Sequence, residues 1–134
     1  MTTTELHKCQ LTAQRLWLSG WYLLNDEETC LRECNGCGAD WMPKWIRTFL
    51  DFVLRLFAPA VAIHDMRYYQ NDSVRESWDD EFLENCQRIA KDKYSWCNPL
   101  RYVALFAARR LYIALVIGGE IAWREAGKRF TEDS

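Results

Sequence analysis

No run of about 18 uncharged apolar residues occurs in the chain, so no segment reads as a bilayer-spanning helix. The nearest approach, Leu111 to Gly119, is bounded by Arg109-Arg110 and Glu120 and reads as a buried or interfacial helix. The beginning, Met1-Thr2-Thr3-Thr4-Glu5-Leu6-His7-Lys8, lacks the basic stretch and apolar run of a signal peptide. Positive charge is not in excess: 17 Lys and Arg stand against 19 Asp and Glu, a net charge of -2 and a pI of about 5.7. That balance excludes a nucleic-acid binder relying on phosphate neutralisation, and it supplies no strong overall draw to anionic membranes. Strand-like alternation, internal repeats and low-complexity tracts are also lacking.

What is present fits one helical domain. A chain of 134 residues, 49% hydrophobic and 27% charged, can bury one core. Aromatics reach 14%, with seven tryptophans, which suggests a large core, an apolar ligand site or an interface. Six cysteines would permit three disulfides, but without an export signal reduced thiols are expected. Helical spacing runs through 5–24, with a break near Ser19-Gly20, and a short helix follows with Asn25 or Asp26 as its cap. The pattern resumes over 44–57, restarts at Pro59, restarts again at Trp78 with Ser77 as N-cap, and covers 100–124. The expected class is all-α, with residues 1–29 as a helical extension, 30–124 as the domain and 125–134 as a fraying tail.

The stretch Ala58-Pro59-Ala60-Val61-Ala62-Ile63-His64-Asp65-Met66-Arg67-Tyr68-Tyr69 places an imidazole beside a carboxylate. On a helix, His64 and Tyr68 share a face one turn apart, and Asp65 is rotated by about 100°. A core histidine beside a solvated aspartate has the same signature. The connection to the helix after Ser77 is short, which favours antiparallel neighbours and lets Asp79 approach His64. A carboxylate on one imidazole nitrogen presents the other as a base. The plain alternative for Asp79 is a solvated first-turn acid. The distance from His64 Nδ1 to the Asp79 carboxylate separates these readings.

The loop Cys34-Asn35-Gly36-Cys37-Gly38 can turn backbone carbonyls toward one point, and Asp65 would complete a hard-oxygen cage for Ca2+. An ordinary connecting loop is the simpler reading. A sulfur reading is also open: Cys30, Cys34 and Cys37, with His7 or Cys9, would make a small zinc-stabilised domain. Trp41, Met42 and Trp45 follow the loop and are candidates for receiving acyl chains or pressing into a lipid interface. Core packing is the competing role for them.

Taken in order, the glycine loop, the His64-Asp65 helix and the segment Ser77-Trp78-Asp79-Asp80-Glu81-Phe82 resemble the phospholipase A2 superfamily, specifically its small bacterial, fungal and phage-encoded branch. The resemblance covers about residues 30–119 and implies two long antiparallel helices, one with His64-Asp65 and one with Asp79, plus a calcium loop. It implies calcium-dependent hydrolysis of a phospholipid acyl ester. His64 would activate water, Asp79 orient it, and Tyr68 position the acid. Asp65 and carbonyls of Asn35, Gly36 and Gly38 would hold Ca2+. The implied partner is a phospholipid or membrane interface and not nucleic acid, with a host-cytoplasmic or virion-associated setting if the chain is phage-encoded. No segment sets an oligomeric state. The chain departs from secreted members, which pin the loop to the active-site helix by a disulfide, since residues 60–63 include no cysteine. It also has Asn35 and Lys44 where relatives carry acids. The alternative these charge losses support is a non-catalytic phage structural or host-interaction protein that keeps the fold.

Overall fold

The computed structural model describes residues 2–34, 44–70, 75–113 and 116, and of these only the backbone at 44–47, 49–50 and 75–76. Every regular element among them is helical. Helix α1 spans Thr3–Arg15; Thr2 caps it by accepting from the Glu5 N–H at 3.1 Å, and Glu5 and Arg15 suit the two ends of the helix dipole. Its buried stripe is Leu6, Cys9 and Ala13. The expected break falls just after it. Trp17 takes φ 51° and Gly20 φ 83°, and a 3-10 turn then covers Trp21–Asn25. Helix α2, Glu27–Glu33, is capped by Asp26, the second of the two candidates.

Helix α3, Lys44–Leu56, and helix α4, Ala58–Gln70, meet at a corner anchored by the fully buried Phe57. Pro59 falls in the first turn of α4, where its missing N–H is not needed. Nine of the thirteen α4 residues are buried, so it is the central helix, not an amphipathic surface one. It touches α1, the 3-10 turn, α2, α3 and α5. Ala60 and Ala62 let those neighbours approach closely.

Helix α5 is Arg75–Lys93, so Ser77 lies inside it and is not its cap. Asp79 therefore sits beyond the first turn. Helices α4 and α5 are antiparallel: Tyr68 and Arg67 meet Asp79 and Trp78, while His64, one turn earlier, extends to Phe82. A final helix covers 99–113, and residue 116 is also helical; Asn98 accepts the Leu100 N–H at 3.0 Å, and Pro99 opens the helix. Ala104, Ala107 and Ala108 of this helix join the common core with Leu6, Leu18, Ile63, Met66 and Cys86.

Candidate active site

His64 and Tyr68 are on one face of α4, and that face is turned to α5. His64 Nε2 lies 2.9 Å from Asp79 Oδ1. The same oxygen accepts the Tyr68 O–H at 2.7 Å. The tilted Tyr68 ring lies 4.2 Å from the imidazole, and Phe82 lies 5.2 Å away on the α5 side. Asp79 is 1% exposed and His64 5%. Asp79 is thus a buried, hydrogen-bonded carboxylate and not a solvated first-turn acid.

The contact is made through Nε2, where the sequence reading looked to Nδ1. A carboxylate only accepts, so Nε2 is the donor in this contact, and in a neutral imidazole Nδ1 then holds the lone pair. The three candidate catalytic residues form one hydrogen-bonded unit. Its carboxylate fixes the ring's tautomer and rotation, and would stabilise an imidazolium.

Asp65 points elsewhere. It is half-buried and lines a cleft of about 730 Å³ formed by α1, α3, α4 and α5, together with Cys9, Cys34, Val61 and Ala62. His64, Asp79 and Tyr68 do not line this cleft. Helix geometry explains the separation, because adjacent positions differ by about 100° in direction. The carboxylate lies near the end of α2: contact with Cys30, burial and the Asp65 charge push the Cys34 thiol up. Asn35, Gly36, Gly38, Trp41 and Met42 lie outside the described residues, as does the side chain of Trp45. Among the described residues, no cluster of three His, Cys, Asp or Glu side chains could hold a metal.

A second buried polar cluster was not read from the sequence. Arg67 is bidentate on Glu81, with Nε to Oε1 at 3.1 Å and a terminal nitrogen to Oε2 at 3.0 Å. Ser19 donates its hydroxyl to Glu81 Oε2 at 2.8 Å. The guanidinium stacks 4.1 Å from the Trp78 ring, whose buried Nε1 has no hydrogen-bond partner among the described residues. The amide of Asn85 bonds both the N–H and the C=O of Ser19. These contacts seat the turn after α1 on α5. The one available signal was an arginine placed among Ile63, Met66 and Tyr69 on α4.

No family model, curated protein or solved structure matches the chain.

Proposed function

We propose that the protein hydrolyses a phospholipid acyl ester in the manner of a small phospholipase A2-like domain. The observation that supports this most is the shared Asp79 Oδ1, bonded by both His64 Nε2 and Tyr68. In this reading His64 Nδ1 takes a proton from water as the water attacks the ester carbonyl. Asp79 stabilises the imidazolium and, with Tyr68, keeps the ring from rotating. The proton then passes from Nδ1 to the leaving alkoxide.

Ca2+ is the implied cofactor. Asp65 supplies a hard oxygen donor, and the chain enters the glycine loop from Cys34, next to it. Asp65 is the described oxygen donor of this set, and Asn35, Gly36 and Gly38 would be the remaining ligands. When bound, the ion would polarise the carbonyl and stabilise the developing oxyanion.

The test is His64→Ala on phospholipid vesicles, with helix content followed by circular dichroism. Loss of hydrolysis at unchanged helix content is expected. Activity that survives the substitution, or that persists in excess chelator, sinks the proposal.

One observation favours the rival reading of a non-catalytic phage structural or host-interaction protein: a histidine only 5% exposed can serve purely as a core hydrogen-bond partner. Calcium separates the two, because a ligand of the folded state raises its melting temperature. A flat response at millimolar calcium supports the rival. Metal analysis of the purified chain tests the zinc-stabilised domain, which ends if the folded protein contains no zinc.

A further inference from the structure

The helix over 99–113, with residue 116, is apolar on two opposite sides. Its inner side, Ala104, Ala107, Ala108 and Leu111, packs on the core. On the outer side, Tyr102, Phe106 and Ile113 fall at helical spacing and stay exposed, Tyr102 by 56% and Phe106 by 60%. Trp96, in the turn just before, is 75% exposed, and the Tyr102 hydroxyl donates to its carbonyl at 2.7 Å. That bond holds two aromatics together at one end of the stripe. A contiguous exposed apolar patch marks an interaction surface.

The charge on this face identifies the occupant. Between Asp92 and Glu120 the chain carries Lys93, Arg101, Arg109 and Arg110 and no acidic residue, although the protein as a whole is net negative. Arg109 and Arg110 are exposed within the apolar stripe, and the Arg110 guanidinium lies 4.9 Å from the Phe106 ring centre. The nearest acid with a bond to this helix, Asp80, accepts the Tyr112 hydroxyl at 2.7 Å. A second copy docking here about a twofold axis would bring its Arg109 and Arg110 against these ones, and the described residues of the helix include no acid to pair with them. No described helix is long and apolar enough to cross a membrane.

We propose that the outer side of this helix binds the surface of anionic phospholipid membranes. The helix lies in the plane of the interface. Trp96, Tyr102, Phe106 and Ile113 enter the headgroup–acyl boundary, while Arg109 and Arg110 extend to lipid phosphates. The lipid binding of this surface requires no ester chemistry.

The test uses the full chain and ether-linked lipids, so hydrolysis plays no part. Co-sedimentation compares vesicles of diether phosphatidylglycerol with vesicles of diether phosphatidylcholine. Binding to the anionic vesicles is expected, with a blue shift of tryptophan fluorescence and weakening in high salt. Arg109→Gln and Arg110→Gln should each reduce affinity about fivefold. Phe106→Glu should remove binding at unchanged circular dichroism; the arginine variants carry the test if that protein does not fold. Absence of vesicle binding, equal binding to both lipids, or binding indifferent to the arginine variants overturns the proposal. A dimer in sedimentation velocity that Phe106→Glu dissociates also overturns it, in favour of self-association.

Discussion

Cys34 Sγ lies 3.5 Å from the carbonyl oxygen of Ala62, at the junction between the end of α2 and the middle of α4. A second bond, from Arg32 to the Tyr69 hydroxyl at 3.1 Å, ties the same short helix to the far end of α4. The two attachments bracket His64 and Asp65. They hold the entrance to the glycine loop beside Asp65 without a covalent link. A thiol–carbonyl contact and a guanidinium–phenol contact make this junction.

The thiols should therefore behave as free groups. Cys9, Cys30, Cys34 and Cys86 are buried, and Cys97 is exposed. Reductant is expected to leave the melting temperature unchanged. An aromatic disulfide reagent should modify Cys97 rapidly in the native protein and the four buried thiols only on unfolding. Mass mapping of the labelled peptides checks this, and slow labelling of Cys97 would contradict it.

Within the candidate site, Tyr68→Phe keeps the ring against the imidazole and removes the hydroxyl bond to Asp79. We expect folding to survive, with stability lower by about 1–3 kcal/mol, as for a hydrogen bond to a charged acceptor. Asp79→Asn should affect hydrolysis far more than Tyr68→Phe, because an amide can donate to Nε2 and turn the proton onto Nδ1. Measuring kcat for both variants on one lipid substrate decides the order.

The Arg67–Glu81 pair gives a stability prediction independent of activity. Both side chains are buried, 10% and 7% exposed. Glu81→Ala leaves the guanidinium unpaired and should cost about 3–5 kcal/mol. Replacing Arg67 and Glu81 together by Met should cost less than Glu81→Ala alone, because no uncompensated charge remains. Urea melts of the singles and the double test this coupling.

Gly20→Ala should destabilise, although glycine-to-alanine changes at compatible sites stabilise. The position has φ 83°, and an added Cβ would lie 2.9 Å from Ile63 Cγ2 and 3.1 Å from an Arg67 terminal nitrogen. Left-handed strain and the close approach to α4 together should cost about 1–3 kcal/mol in an equilibrium melt.

Alkaline pH should weaken the fold through buried thiols. Burial, then the charge of Glu5, then Cys30, push the Cys9 thiol up from 9.0 to about 11. A group with a raised folded-state pKa contributes stability that is intact below its unfolded value and lost as pH rises through the folded one. The loss therefore falls between pH 9 and about 11. Urea melts at both ends of this window should show wild type losing more than Cys9→Ala, by an amount on the order of 2 kcal/mol.

Much of this site was legible in the sequence, because helical repetition is local. His64 and Tyr68 are one turn apart, which places them on one face whatever the helix packs against. The break at Ser19-Gly20, the Asp26 cap and the Pro59 restart are local chemistry too. The start of α5 was misplaced because Ser77 has the chemistry of a cap, whereas the helix already includes Arg75. Arg67 and Glu81 passed unnoticed as a pair because nothing local links positions on two different helices.

The sequence alone determined the helical class of the described elements, the shared face of His64 and Tyr68, and the acid-free run after Asp92. Only the tertiary structure decided that Asp79 is buried, that it takes Nε2 and the tyrosine hydroxyl on one oxygen, and that Cys34 rests on Ala62. The physical reason is one of range. Backbone hydrogen bonding sets the period within a helix. The rotation of α4 against α5 and α2 is set by every side chain packed around it, and no single segment encodes that angle.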